Sequence, residues 1–217
     1  MKVKNKIVIV AVLLAFLTLP VAANAVSYGF HQITSNGNAF IASQLSVDVL
    51  DAGAGLVEFR FGNTGTVASS ITDVYFDDGT LLGIASIVEG AGVAFSAPAN
   101  PGDLPGGGSI NPSFETTKGF SADSDAPTMA NGVNPGELVS IYFNLINGKT
   151  YTDTIAALAQ GTGEGSLRIG LHVQSIGTTG GSESYVNDPN PVPEPAAMLL
   201  LGLGLVGIAG ARKKLTM

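Results

Sequence analysis

Leu167-Arg168-Ile169-Gly170-Leu171-His172-Val173-Gln174 sets an aliphatic side chain at every second position and a cation, a glycine, an imidazole and an amide between them. A period of two gathers all four aliphatic groups on one face of an extended chain, whereas a helix would scatter them around its axis. The stretch therefore reads as a strand with one apolar and one wet face. The same rhythm recurs upstream. Leu45, Val47 and Val49 alternate with Ser46 and Asp48, and Val57, Phe59 and Phe61 alternate with Glu58 and Arg60. Ile71 to Phe76, Leu81 to Val88, Gly92 to Phe95 and Leu138 to Leu145 are further strands, separated by Gly, Asn, Asp and Pro. Asp77-Asp78-Gly79 reads as the tight turn of a hairpin joining the first two, because Asp-Gly accepts the positive φ such turns need. One short helix interrupts the pattern, capped by Thr152 or Asp153, running through Ile155, Leu158 and Ala159 and ending at Gly161. Many short strands with closely spaced turns predict an all-β domain, an antiparallel β-sandwich of Ig-like or jelly-roll-like outline. No repeat of fixed period is present, which argues against a solenoid or propeller.

The segment from Ala97 to Gly136 breaks the rhythm with Pro98, Pro101, Pro105, Gly106-Gly107-Gly108, Pro112, Pro127 and Pro135. It reads as a long ordered loop of the kind that often carries function. Inside it, Asp123 and Asp125 have the Asp-x-Asp spacing of calcium ligands, but no EF-hand or nonapeptide pattern completes it. Asx-type turns use the same side chains and are the preferred reading, which leaves calcium as the only cofactor the pattern brings to mind.

The inventory for catalysis is thin. There is no cysteine, no Gly-x-Ser-x-Gly elbow and no local zinc spacing, and the two histidines are His31 and His172, the latter read as solvated on a wet strand face. Asp73 with Asp77, or Asp123 with Asp125, could be set against glycoside hydrolysis, but acid pairs are commonplace in an acidic domain. The domain is expected not to be an enzyme. That expectation changes if the fold brings His172 within hydrogen-bond reach of a buried acid and a Ser or Thr. A sugar-binding platform would have to come from Tyr28, Tyr75, Tyr142, Tyr151, Tyr185 and the phenylalanines, because the chain has no Trp; Tyr151 and Tyr185 are the best placed.

Both ends carry signals of another kind. Lys2, Lys4 and Lys6 precede an apolar run from Ile7 to Leu19, and Ala23-Asn24-Ala25 supplies a small-residue cleavage site, so residues 1–25 read as a signal peptide removed by signal peptidase after Ala25. At the other end Pro193-Glu194-Pro195 is followed by 16 uncharged residues, Ala196 to Ala211, and then by Arg212, Lys213 and Lys214. Pro195 suits the first position of a helix. A helix over 196–211 would be about 24 Å long, short of the roughly 30 Å hydrocarbon core, so it spans with help from bilayer thinning and snorkelling of the basic residues. Those basic residues stay cytoplasmic and leave everything upstream outside. The division is then a signal peptide at 1–25, a β-sandwich domain at 26–181, a Pro/Asn-rich linker with little secondary structure at 182–192, and a tail at 193–217.

In order and spacing this tail resembles the PEP-CTERM sorting tail of Gram-negative bacteria. The resemblance implies that an exosortase, an integral-membrane cysteine transpeptidase-like enzyme, recognises Pro193, Glu194 and Pro195 and processes the chain near them. These residues would be substrate, not catalyst. It implies transient anchoring in the inner membrane, then a place at the cell surface or in the extracellular matrix of an exopolysaccharide-producing bacterium. Gly132-Val133-Asn134-Pro135-Gly136-Glu137 and Leu167 to His172 are similar to segments of PEP-CTERM cargo domains of uncharacterised activity.

Between Val26 and Val192 only Arg60, Lys118, Lys149 and Arg168 stand against 16 acidic side chains, a net charge of −12. Such a surface disfavours nucleic acid and anionic membrane. With about 165 residues and no disulfide, the domain is large enough to hold itself together by its core. The expected function is an exported, exosortase-sorted surface or matrix protein, with a carbohydrate-binding module as the alternative and an ice-binding one behind it. Flat arrays of regularly repeated Thr-x-Thr, which ice binding would call for, are missing from the sequence.

Overall fold

Ten strands account for nearly half of the described part of the chain, residues 25–78, 81–116 and 120–192 of this computed structural model. In chain order they are β1 (Ala25–Gln32), β2 (Leu45–Gly53), β3 (Leu56–Asn63), β4 (Ser70–Asp78), β5 (Leu82–Glu89), β6 (Phe95–Ser96), β7 (Ser121–Ser124), β8 (Leu138–Leu145), β9 (Leu167–Ile176) and β10 (Gly181–Val192). All ladders are antiparallel and form one sheet in the order β5-β8-β3-β2-β1-β10-β9-β4-β7-β6. The all-β, antiparallel class is as expected. Two short helices are described, α1 (Thr128–Asn131) and α2 (Tyr151–Gln160).

The sheet curls until its halves face each other. Phe59 and Phe143 come from β3 and β8, Phe76 from β4 at the far side of the strand order, yet Phe76 lies 5.1 Å from Phe59 and 4.7 Å from Phe143, centroid to centroid. Phe61 and Phe120 complete the group at 6.1 Å from Phe76 and 5.4 Å from Phe143. All are edge-to-face, the arrangement ring quadrupoles favour. Side chains alternating to one face can meet across an interior only if right-handed twist brings the two halves round. The outermost strands, β5 and β6, are consecutive in sequence, and the Glu89 carboxylate accepts the Phe95 N–H (2.8 Å) across the short connection.

Several expectations need correcting. Asp77-Asp78-Gly79 does not turn a hairpin between β4 and β5, because β4 has both edges occupied, by β9 and β7, while β5 pairs with β8. Gly92 to Phe95 supplies only the first residue of the two-residue β6. Residues 182–192, expected as a linker, are strand. β10 inserts between β9 and β1, and its cross-strand partners outweigh a composition rich in Asn and Pro. The helix cap is Thr150 rather than Thr152 or Asp153: Asp153 is the third helical residue, its carboxylate accepts the Thr150 N–H (2.8 Å), and the Thr150 hydroxyl accepts the Asp153 N–H (3.3 Å). Gly161, at φ 73°, ends the helix as expected. No helix among the described residues is long and apolar enough to cross a membrane, and the expected span 196–211, like the signal segment 1–24, lies outside them.

The wet face of β9 is not wet. Residues 97–116 fold back over the outside of β4, β9 and β10, and a second small core forms there from Tyr75, Ala99, Leu104, Phe114 and Val186. Gly170 makes the close approach possible, since a Cβ at that position would fall 2.7 Å from a Leu104 methyl group. Arg168 is buried beside Gly170 with its guanidinium 5.3 Å from the Phe114 ring centroid; Nε donates to Asp77 (3.0 Å), Nη1 to the Pro112 carbonyl (3.0 Å) and Nη2 to Asp77 and the Ser113 carbonyl. A buried cation needs such a set of acceptors.

Candidate functional site

Two places deserve the name of candidate: a polar row beneath the 97–116 roof, and the end of the β1/β10 pair from which the chain leads into its tail.

The polar row follows from register. Asp123 on β7 stands opposite Asp73 on β4, and Asp73 opposite His172 on β9. His172 Nδ1 donates to Asp73 Oδ2 (2.9 Å), and the imidazole side chain is only 14% exposed, so the solvated reading of His172 is corrected. The Thr72 hydroxyl donates to the same Asp73 oxygen (2.6 Å) and lies 3.2 Å from the His172 carbonyl. A buried acid and a Thr thus do gather around His172, but Thr72 bonds the acid, not the ring. A nucleophile–base pair needs the hydroxyl on the imidazole itself. Asp123 accepts the Asn100 N–H (3.2 Å), Asp125 accepts the Ser96 hydroxyl (2.7 Å), and the Tyr75 hydroxyl donates to the Pro101 carbonyl (3.0 Å). Burial pushes the Asp123 carboxyl up, against the pull of the Asn100 N–H, and the Asp73 charge adds to the rise; burial and Asp73 likewise raise the Tyr75 phenol. The row pins the roof to the sheet. Among the described residues no three His, Asp or Glu side chains gather as metal ligands, and the Asp123 and Asp125 carboxylates take partners distant in sequence, the Asn100 N–H and the Ser96 hydroxyl, rather than the local backbone bonds of Asx-type turns.

The aromatic platform does not assemble. Tyr28, Tyr75 and Tyr185 are fully buried, and Tyr151 packs against the core with its hydroxyl donating to the Val49 carbonyl (3.0 Å). Burial pushes the Tyr185 phenol up to about 12, with the nearby Glu183 charge as a second cause. A cavity of about 330 Å³ opens between β5 and β7, lined by Phe76, Ile87, Phe95, Phe120, Ile141 and Phe143 together with Ser96 and Ser121.

The second place begins with β10. Its start is clamped by Glu183, a buried carboxylate that accepts the Thr34 hydroxyl (2.6 Å), the Asn36 N–H (2.7 Å) and the Asn38 amide (3.0 Å). Burial alone would raise this carboxyl; the donors from Thr34, Asn38 and Asn36 outweigh it and hold the group below its ordinary 4.5. A depressed carboxylate adds stability that is complete above the unfolded-state value and disappears as pH falls through the folded one. Glu183→Gln is therefore expected to cost about 2–3 kcal/mol at neutral pH, by loss of charge-assisted bonds. The gap from wild type should close on acidification below about pH 4.5, where the carboxyl protonates in the unfolded chain. Urea unfolding across pH 3–7 checks this; a gap that stays constant would refute it.

At its middle β10 leaves β9. The last paired residues are Val186 and Gly170, and the next N–H of β9, that of Ile169, is taken by the Asn187 side-chain oxygen (2.7 Å). Against β1 the ladder then skips: Phe30 faces Asn187, but Tyr28 faces Pro191, leaving Asp188, Pro189 and Asn190 bulged out opposite Gly29. His31 Nδ1 pairs with Asp188 Oδ1 at 2.9 Å, both half-exposed, and Pro189 lies beside Gly161 at the end of α2. Ser27 opposite Val192 closes the ladder. Ala25, the residue after which signal cleavage is expected, is the first residue of β1 and stands opposite Leu50 on β2. The chain thus enters and leaves the domain at one pole, on neighbouring strands about 5 Å apart. Ala23, Pro193, Glu194, Pro195, Arg212, Lys213 and Lys214 lie outside the described residues.

Residues 191–214 match the PEP-CTERM protein-sorting motif family. A comparison of the whole chain with curated proteins finds no match. The match covers Pro193, Glu194 and Pro195, the apolar run and the basic cluster together, and it begins within β10.

Proposed function

We propose that this chain, which ends in a PEP-CTERM sorting motif, is an exported protein whose curled β domain is the cargo of exosortase-dependent sorting to the cell surface or an exopolysaccharide matrix. Export and a transient membrane stage go with the motif itself. The rest of the reading is ours: removal of residues 1–25 by signal peptidase, a membrane-spanning helix over 196–211 inside the bilayer, cleavage near Pro193 to Pro195, and a final place among matrix polysaccharides.

The observation that carries the reading is the position of the motif. Folded structure continues to Val192 and the tripeptide starts at the next residue, so the domain is built to be delivered whole and separated at its boundary. A non-enzymatic cargo role is supported by His172 and Thr72 both being spent on Asp73. The runner-up reading, a carbohydrate-binding module, draws no support from its two best candidates, since Tyr185 is a core residue and Tyr151 packs against the core with its hydroxyl bonded to Val49.

Intact mass spectrometry of the protein from inner-membrane, outer-membrane, matrix and medium fractions of its host tests the proposal. The expected product starts at Val26 and ends near Pro193 to Pro195, outside the inner membrane. A stable product that retains Arg212 to Met217 in the inner membrane would overturn it.

A further inference from the structure

We infer that the terminal arm of β10, Asp188 to Val192, is itself part of what the processing enzyme must engage, and that it has to peel off β1 before the tail can be cut. The inference rests on the sorting reading above and adds a requirement to it.

The geometry supplies three reasons. First, there is no spacer: Val192 is laddered to Ser27 and Pro193 follows directly. An enzyme that cuts a peptide bond holds its substrate extended through main-chain hydrogen bonds on either side, and here that backbone is already paired with β1. Second, the arm is the weakly held part of its strand. Up to Val186 β10 has neighbours on both sides; beyond Asn187 it has β1 alone. Pro189 and Pro191 have no N–H to give, the three-residue bulge interrupts the ladder, and Val192 is 49% exposed. Segments with few buried contacts open locally without global unfolding. Third, the opening stops at a defined place. Asn187 is buried and holds the Ile169 N–H, while Tyr185 and Val186 are core residues, so peeling to Asp188 leaves the cores intact.

Asp188 and His31 mark the hinge: Asp188 is the first residue of the bulge, and its half-exposed carboxylate pairs with the His31 ring at 2.9 Å. The arm is thus an extended, donor-poor, acid-headed segment that the fold presents at the pole where the chain leads into its tail. The partner it fits is an enzyme groove that supplies main-chain hydrogen bonds to residues 188–192 in place of β1.

A pulse–chase of the full-length chain in its own host decides the matter. Eight Gly/Ser residues inserted between Val192 and Pro193 supply a ready-made extended segment without touching the ladder. They should shorten the precursor half-life by roughly tenfold, the inverse of the fraction of time the native arm is open. Conversely, Ser27→Cys with Val192→Cys staples the arm to β1; the chain has no other cysteine to compete. Where the bridge forms, processing should stall and resume on adding reductant. Equal half-lives for inserted and wild-type precursors, or a formed bridge that does not slow processing, would overturn the inference. Glu194→Ala in the inserted chain separates the two levels: if that variant is still processed at the normal rate, the sorting reading has failed rather than the role of the arm.

Discussion

Glu194→Ala is expected to leave nearly all of the protein as a membrane-held precursor that still contains Arg212 to Met217, while the β domain folds as before. The matched motif places one carboxylate between two prolines, and the prolines fix φ and hold their preceding residues extended. Glu194 is the one charge in the tripeptide, with proline on either side and no other acidic residue in the matched motif able to replace it. Losing a hydrogen bond to a charged group costs about 1.5–3 kcal/mol, or roughly 10–100-fold in the rate at which processing enzyme and substrate combine. Glu194→Gln keeps shape and acceptor but loses charge, and should fall between. The measurement is the ratio of precursor to product by intact mass in host fractions. Undiminished secretion of a processed form from Glu194→Ala would show that the carboxylate is not what is read.

The second large effect is on the fold. Phe76→Ala removes the ring that ties the halves of the sheet, since Phe76 touches Phe59 and Phe143 at about van der Waals contact and Phe61 slightly farther off. Phe-to-Ala truncations in packed cores cost about 3–5 kcal/mol, the transfer free energy plus that of the cavity left behind. Against a total of about 5–15 kcal/mol for a domain of this kind, the variant should unfold at markedly lower urea and temperature, or fail to accumulate. Phe40, which is 72% exposed, is the control, and its replacement by Ala should move stability by no more than about 0.5 kcal/mol. Urea unfolding of the mature protein and both variants checks the contrast. A Phe76→Ala loss below about 1 kcal/mol would mean that the two halves are not packed through this ring.

Much of this was legible in the residues. Alternation located β2, β3 and β9, and runs bounded by Gly, Asn, Asp and Pro located β4, β5 and β8; β2 shows the physical cause most directly, since Leu45, Val47 and Val49 are buried and Ser46 and Asp48 between them are partly exposed. β1 and β7 were missed for opposite reasons. β1 begins where a signal sequence is expected to end, and β7, Ser121-Ala122-Asp123-Ser124, is too short and polar to show a period, being held by its register with β4. A Thr-x-x-Asp pattern at Thr150 was present in the sequence and would have placed the helix start correctly. The polar row around Asp73 was not legible at all, since Asp73, Asp123 and His172 are far apart in the chain and meet only because β4 lies between β7 and β9.

By itself the sequence determined the all-β class of the domain and the presence of the sorting motif, because both are written locally: strand faces in alternating side chains, and the motif in a contiguous run of residues. Only the tertiary structure decided that the outer face of β9 is roofed rather than wet. Arg168, Gly170 and His172 look solvated until residues 97–116 are seen to cover Arg168 and Gly170, with Gly170 leaving the space, Asp77 pairing with Arg168, and Asp73 holding the His172 ring. Tertiary structure also turned the Asn/Pro-rich stretch before the motif from a spacer into a strand. Its residues have little preference for extended pairing of their own, but β1 and β9 offer unfilled ladders on either side, and cross-strand hydrogen bonds and burial outweigh local propensity.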